Sequence, residues 1–217
     1  MIQKLGKPPP KNRSRTSRHA RRGVARAKPL ESTRERILTA AASLFAEHGF
    51  DGSSMPAIAR SSGITAGAIY KHFKSKGELL LEVVKRSFES TPLFMQTSAA
   101  ATATYLPRLA AAYTEPELKL VRQLSIEVHS AASRDSEVRR LLALSDDAAM
   151  QYISDAIALA QREGKLNPKL NPEFVARLFC VFVMGLLHMD TLLPNLIGDK
   201  SWRAFVNQRI AALIGSD

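Results

Sequence analysis

Residues 54–80 have the sequence SMPAIARSSGITAGAIYKHFKSKGELL, which is the pattern of two short helices and the start of a third. Ser54 is a favourable N-cap for the first helix, because its hydroxyl can accept from a free backbone N–H. Gly63 lies where the chain must leave that helix, a place that favours a residue with positive φ. Thr65 caps a second helix that runs to about His72. This is the pattern of a helix-turn-helix, a motif used mainly to insert its second helix into the major groove of DNA.

Two further helices flank the motif. The spacing Ser-x-x-Glu, which predicts a capping box, occurs at 32–35 and again at 75–78. It opens one helix over about 33–48, which Gly49 ends, and another over about 76–90. Apolar residues recur in both at helical spacing, so each helix has one face to bury. The motif is therefore the middle of a run of four helices.

Together with the helix before it, the motif resembles the TetR (tetracycline-repressor-like) family of bacterial regulators over roughly residues 32–82. The resemblance implies a DNA-binding domain at 29–76, followed by a helical effector-binding and dimerisation domain at 77–217. Ala68 departs from the family, which frequently has Thr or Ser there, and Gly77 stands where an acidic residue is frequent. The matching residues are Thr33, Arg34, Ile37, Leu38, Ala40, Ala41, Leu44, Phe45, Gly49, Phe50, Ser54, Ile58, Ala59, Gly63, Ile64, Gly67, Ile69, Tyr70, His72, Phe73 and Lys76.

The motif offers two kinds of contact to DNA, because phosphate contacts position a protein and base contacts specify its site. Small residues at the start of the recognition helix let its backbone sit deep in the groove, and Lys71 can reach guanine acceptors. Tyr70 could instead be a core residue with a wet hydroxyl, and His72 a capping or surface residue. We expect phosphate contacts from Ser54, Tyr70, His72 and Lys76, as is common in the family, and base contacts from Thr65, Ala66, Gly67, Ala68 and Lys71.

The charge of the chain is concentrated at its N-terminus. The formal net charge is +11, and residues 1–28 contain ten basic and no acidic residues, so the remainder is nearly neutral. Such an arm is too polar to fold alone. It could follow phosphates or enter the minor groove, remain a solvated extension, or imitate a transit peptide. The candidate DNA-contacting residues of the arm are Arg15, Arg18, Arg21, Arg22, Arg26 and Lys28.

Composition limits the class of protein. Of 217 residues 45% are hydrophobic, enough for a substantial core, and a single cysteine excludes a disulfide framework within the chain. The longest apolar run, 178–187, is too short to span a bilayer, which needs about 20 residues. No secretory leader is recognisable, so we expect a soluble, cytoplasmic protein without a membrane partner.

The rest of the chain predicts an all-α fold, since no strand-like alternation occurs anywhere. Ser98 to Thr104 could be a weak helix or a loop. Proline and glycine mark the ends of the later helices. Those helices are expected at about 104–113, 116–133, 136–163, 172–192 and 199–214.

The helix over 172–192 is apolar over much of its circumference, which indicates burial between neighbours. Gly185 in its middle costs about 1 kcal/mol in helix propensity unless close packing offsets that cost. The family resemblance implies that the last two helices pair across a homodimer; an ordinary core helix is the alternative. The expected interface residues are Leu178, Val181, Phe182, Gly185, Leu186, Met189, Trp202, Phe205 and Ile210.

The resemblance also implies a small-molecule effector bound among the helices that follow the motif. Plain core packing is the competing interpretation of the same side chains. Because most of the candidates are apolar, we expect a hydrophobic or amphipathic ligand. The candidate lining residues are Phe88, Phe94, Met95, Tyr105, Leu124, Glu127, Val128 and Tyr152.

No pattern points to catalysis, a cofactor or a metal. The histidines show no His-Glu-x-x-His or His-x-His spacing, and no nucleophile elbow or phosphate loop is present. Cys180 lies in an apolar run and is expected to be a buried, inert thiol. His188 and Asp190 could face the dimer seam or a pocket. We expect a homodimeric, ligand-responsive transcriptional regulator, most simply a repressor; the alternative is a ligand-independent architectural DNA-binding protein driven by the arm.

Overall fold

A computed structural model describes residues 32–89 and 99–215, of which side chains 99, 100, 102 and 103 are not described. Within these ranges every regular element is helical, which confirms the all-α prediction. The arm residues, including those expected at the DNA, and the candidates Phe94 and Met95 lie outside the described residues. The helices are α1 Thr33–Gly52, α2 Met55–Ser61, α3 Ala66–Ile69, α4 Lys76–Glu89, α5 Ala99–Ala112, α6 Lys119–Arg134, α7 Ser136–Arg162, α8 Pro172–Leu187, α9 Met189–Leu192 and α10 Lys200–Leu213.

The N-capping residues that the sequence predicts do cap their helices in the structure. The hydroxyls of Ser32, Ser54 and Thr65 each accept from the backbone N–H three residues on and cap α1, α2 and α3. The Ser75 hydroxyl does the same at α4, accepting from Glu78 at 3.0 Å. In a complete capping box Glu78 would accept from the N–H of Ser75. Here its carboxylate accepts from the N–H of Lys74 instead.

Some boundaries differ from the sequence prediction. Gly49 breaks α1 as expected, with φ 72°, but residues 50–52 add a further helical turn. The second helix of the motif ends at Ile69 rather than His72, and backbone hydrogen bonds from His72 and Phe73 to the Ile69 carbonyl tighten that end.

The later helices also differ in two places. Helix α5 begins at Ala99, so the Ala-rich stretch is helical from that residue on. The single helix expected over 172–192 is two, because His188 has non-helical backbone angles between α8 and α9.

The described chain has two hydrophobic clusters. The first joins α1 to α4, around Ile37, Ile58, Ile69 and Leu80, each inaccessible to solvent. Residues of α6 and α7 pack into this cluster as well. The second lies among α5 to α10 and contains Phe179. Helix α6 therefore contributes to the packing of the motif as well as to the C-terminal part. No described helix combines the length and the apolar character needed to cross a membrane.

Candidate nucleic-acid interface and ligand cavity

The start of α3 presents small, exposed residues. Thr65, Ala66 and Gly67 are exposed, and Ala68 is half-buried. A Cβ built on Gly67 would meet no atom within 4 Å, so nothing inside the protein requires glycine there. The Thr65 hydroxyl caps the helix through the N–H of Ala68 at 3.2 Å. This end of the helix therefore leaves its backbone open to a close approach from outside.

The other end of α3 presents larger polar groups. Tyr70 is 52% exposed, and Lys71 and His72 are exposed as well. The exposure of Tyr70 argues against the alternative that it is a core residue. The opposite side of the motif is anchored by Ile69 and Phe73, which are fully buried. The burial of these two residues fixes which side chains of the motif face outward.

Lys76, expected at a phosphate, is engaged within the protein. Its ammonium donates to the carbonyls of Phe50 at 2.6 Å and Ser53 at 3.0 Å, and lies 4.0 Å from the centre of the Phe50 ring. It satisfies carbonyls at the C-terminal end of α1, where helix carbonyls lack partners. Lys76 thus has a structural role that sequence reasoning missed, because its partners lie 23 and 26 residues away.

Gly77 departs from the family pattern, and close packing in the structure explains why a glycine stands there. A Cβ at this position would lie 3.0 Å from Cγ2 of Val138 on α7, closer than ordinary van der Waals contact. Any side chain at this position would require the Val138 side chain to shift. The glycine therefore allows close packing of these two helices.

Glu127 belongs to the junction between α6 and α1 rather than to a pocket, which corrects its predicted role. Its Oε1 accepts from the N–H of Phe50 at 2.7 Å. Nearby, Arg134 of the same helix pairs with Asp51 at 2.9 Å. The turn after Gly49 is therefore held by side chains from α6.

A cavity of about 480 Å³ lies among α4 to α8. Four of the predicted lining residues do line it: Phe88, Tyr105, Val128 and Tyr152. Leu124 does not, because it faces the cluster around the motif, where it is fully buried. The volume falls in the range of small-molecule sites, about 300–1,000 Å³.

Several polar residues of the cavity were not predicted. They are Tyr113, Ser125, His129, Asp146 and Cys180. The spacing of four between Ser125 and His129 puts both on one face of α6 and was the available signal. The Ser125 hydroxyl is buried without a hydrogen-bond partner. A cavity with an orphaned hydroxyl in its wall is suited to a ligand with a polar group.

Burial is the largest influence on the pKa of three residues that line the cavity. It raises the pKa of Tyr105 to about 12, helped by Tyr152, and it also raises the pKa of Tyr113. Burial, with a smaller contribution from Asp146, also raises the pKa of Cys180. These tyrosines and the thiol keep their protons at neutral pH. Cys180 was expected to be buried, but it is half-buried and lines the cavity.

The pKa of Asp146 is shifted in opposite directions by its surroundings. Burial raises its pKa, His129 lowers it and Asp147 raises it, with burial the largest effect. No group of three or more metal-ligating side chains occurs in the described part of the chain.

The predicted interface residues separate into two sets. Leu178, Val181 and Phe182 of α8, with Phe205 of α10, are exposed apolar side chains. Gly185 is exposed, and Trp202 is half-buried and stacks on Phe205 at 5.8 Å. The prediction was wrong for Leu186, Met189 and Ile210, which are buried in the core, because the opposite faces of these helices pack within the chain.

Asp190 does not line the cavity and instead forms an ion pair within the chain. Its carboxylate takes two hydrogen bonds from Arg122, at 2.7 and 3.1 Å. Arg122 is fully buried and also donates to the carbonyls of Tyr113 and Glu115. The pair ties the start of α6 to α9.

Comparison with known proteins agrees with this geometry. Residues 37–83 match the family model of bacterial regulatory proteins of the tetR family. The HTH-type transcriptional regulator UidR of Escherichia coli (strain K12) is 27% identical over 187 residues, covering 85% of this chain and 92% of UidR. The solved structure of Salmonella enterica GusR has a TM-score of 0.67 at 26% identity, covering 87% of this chain and 98% of GusR.

A more distant structure shows the same fold. It is AibR in complex with isovaleryl coenzyme A and operator DNA, with a TM-score of 0.57 at 17% identity. The likeness covers 85% of this chain and 99% of AibR. Identity at this level bears on the fold alone, which extends through the C-terminal helices as well as the motif.

Proposed function

This chain belongs to the TetR family of bacterial transcriptional regulators, and we propose that it acts as a ligand-responsive repressor. A homodimer binds a pseudo-palindromic operator, and a small hydrophobic or amphipathic effector in the cavity releases it. Residues 1–28 are the basic arm, residues 29–76 bind DNA, and residues 77–217 hold the effector and the dimer contacts.

The observation that carries the proposal is the exposed face of α3. Its first turn offers Thr65, Ala66 and Gly67, and its end offers Tyr70 to His72. Small residues admit the backbone to the groove, while the tyrosine, lysine and histidine reach phosphates or base edges. Ser54 is exposed at the start of α2 and can join the phosphate contacts. Lys76 has one remaining N–H for such a contact, since two carbonyls already take the others.

The dimer is supported by the apolar face of α8 and α10, defined by Phe174, Leu178, Val181, Phe182 and Phe205. Each is exposed by more than a third in the single chain. Large apolar side chains that are exposed together are typical of an interface. Open space beside Gly185 on the same helix leaves room for a partner helix to approach. Two protomers related by a two-fold axis then present two recognition helices to one face of DNA.

Release of DNA follows from a shift of the dimer between two conformations. An effector weakens operator binding only by the difference in its affinity for the two conformations of the dimer. Helix α6 is the element that both sites share, because Ser125, Val128 and His129 line the cavity while Glu127 holds Phe50. Movement of α6 on ligand binding would therefore move the end of α1 and with it the motif.

The test is selection of bound duplexes from a randomised pool, with the full chain and with a variant lacking residues 1–28. We expect both to select the same pseudo-palindrome, the shortened chain with lower affinity and weaker salt dependence. The basic arm favours a second candidate, an architectural protein without sequence preference. That candidate predicts no selected sequence and near-complete loss of binding once the arm is removed.

A further inference from the structure

Two of the charged side chains that line the cavity pair with each other, which leaves the carboxylate of Asp146 to face a ligand. Lys85 and Glu89 pair with one another at 3.9 Å on α4, and both are more than half exposed. Asp146 on α7 is the other acid among the described lining residues. It is an exposed residue within electrostatic reach of His129.

Two polar residues of α6, Ser125 and His129, also line the cavity. Nδ1 of His129 lies 2.7 Å from the carbonyl oxygen of Ser125. A carbonyl can only accept, so Nδ1 carries a hydrogen. The Ser125 hydroxyl, 2% exposed, has no partner and can accept or donate. A polar group on the ligand would give the Ser125 hydroxyl the partner that it lacks.

The remaining wall is rich in aromatic rings. Phe88, Tyr105, Tyr113, Tyr152 and Phe179 all line the cavity. Phe88 and Tyr113 meet edge to face, with their centres 6.5 Å apart. The face of an aromatic ring attracts a cation, by roughly 0.5–2 kcal/mol depending on desolvation. The Asp146 carboxylate and the ring faces thus both favour a positive charge in the ligand.

We infer that the effector is an amphipathic organic cation, a protonated amine on an aromatic body, with Asp146 as its counter-ion. The inference rests on the proposed function only in taking this cavity as the effector site. An organic anion would be repelled by the Asp146 carboxylate, and the one lysine among the described lining residues, Lys85, is more than half exposed and pairs with Glu89. A purely apolar ligand would leave the Ser125 hydroxyl unsatisfied.

The test uses three probes of one shape: 1-naphthylmethylamine, 1-naphthylmethanol and 1-naphthoate. Their binding to the full chain at neutral pH is measured by calorimetry without DNA. We expect the amine to bind at least about tenfold more tightly than the alcohol, and the anion to bind most weakly. Asp146→Asn should abolish the preference for the amine and leave the affinity for the alcohol unchanged.

Asp147→Asn is the matched control, because Asp147 is exposed on the same helix and does not line the cavity. It should retain the preference. The inference is overturned if the amine does not bind, if the alcohol or the anion binds as tightly, or if Asp146→Asn keeps the preference. Because DNA is absent, such a result would leave operator binding untouched. Conversely, a chain that binds no operator could still show the amine preference.

Discussion

Oε1 of Glu127 accepts a hydrogen bond from the backbone N–H of Phe50 at 2.7 Å, joining α6 to the end of α1. The same carboxylate lies 3.4 Å from the position that a Cβ on Gly49 would occupy. Gly49 has φ 72°, so the turn itself also requires glycine. The hydrogen bond between Glu127 and Phe50 therefore connects α6, which lines the cavity, to the helices that carry α3.

Removal of the Glu127 acceptor should destabilise the protein. Glu127→Ala leaves the half-buried Phe50 N–H without its partner, and we expect a loss of about 1–3 kcal/mol in the free energy of unfolding. Glu127→Gln keeps an oxygen acceptor and should lose less. The measurement is urea denaturation followed by circular dichroism. Glu47→Ala is the control, since Glu47 is exposed and its nearest ion-pair partner, His48, is 3.9 Å away; equal losses in both alanine variants would contradict this role.

Arg122 should be among the most sensitive residues of the C-terminal part. Arg122→Ala leaves Asp190 and two carbonyls without their donor, and we expect a loss of about 3–5 kcal/mol in the free energy of unfolding. Arg122→Lys should rescue only part of it, because an ammonium cannot reproduce the forked contacts of a guanidinium. Chemical denaturation of the two variants checks this. A cost within about 0.5 kcal/mol of zero for the alanine variant would refute it.

The dimer should dissociate into protomers when a charge is introduced on the apolar face of α8 and α10. Val181→Glu replaces a side chain that is 68% exposed in the single chain, so folding should be unaffected while the dimer is lost. Sedimentation velocity measures the oligomeric state. Leu120→Glu on α6, at a position outside this face and 42% exposed, is the control and should remain dimeric. A dimer of unchanged affinity in the Val181 variant would show that another surface pairs the protomers.

Gly67→Ala should separate stability from DNA binding. The added methyl meets no atom of the protein, and alanine is the better helix former by roughly 1 kcal/mol, so the melting temperature should stay or rise. On DNA the methyl occupies the space needed for close approach, and we expect at least about a tenfold loss of operator affinity. Ser61→Ala, an exposed change on α2 outside the predicted contacts, should bind normally. Equal operator affinity in both variants would exclude close approach at Gly67.

The parts of the fold that depend on short-range signals could be predicted from the sequence. Ser32, Ser54, Thr65 and Ser75 cap the helices that they were expected to cap, because a cap needs only a neighbouring N–H. The breaks at proline and glycine were found for the same reason. The outward position of Tyr70 followed from helical spacing around Ile69.

The parts that depend on distant partners could not be predicted. Glu127 and Phe50 are 77 residues apart, and Arg122 and Asp190 are 68 apart. Leu186 was assigned to the interface because a helix that is apolar all round does not indicate which face turns inward. Asp146 was missed for a related reason, since its role depends on the walls that α6 and α8 place around it.

The most direct measurement is a fluorescence anisotropy titration of the full chain on its selected duplex and on a scrambled duplex of equal length, at one salt concentration. The account predicts saturation at two protomers per duplex. It also predicts tighter binding to the selected sequence, by roughly 10³-fold or more. Equal affinity for the two duplexes would contradict it, because phosphate attraction alone would then account for the binding.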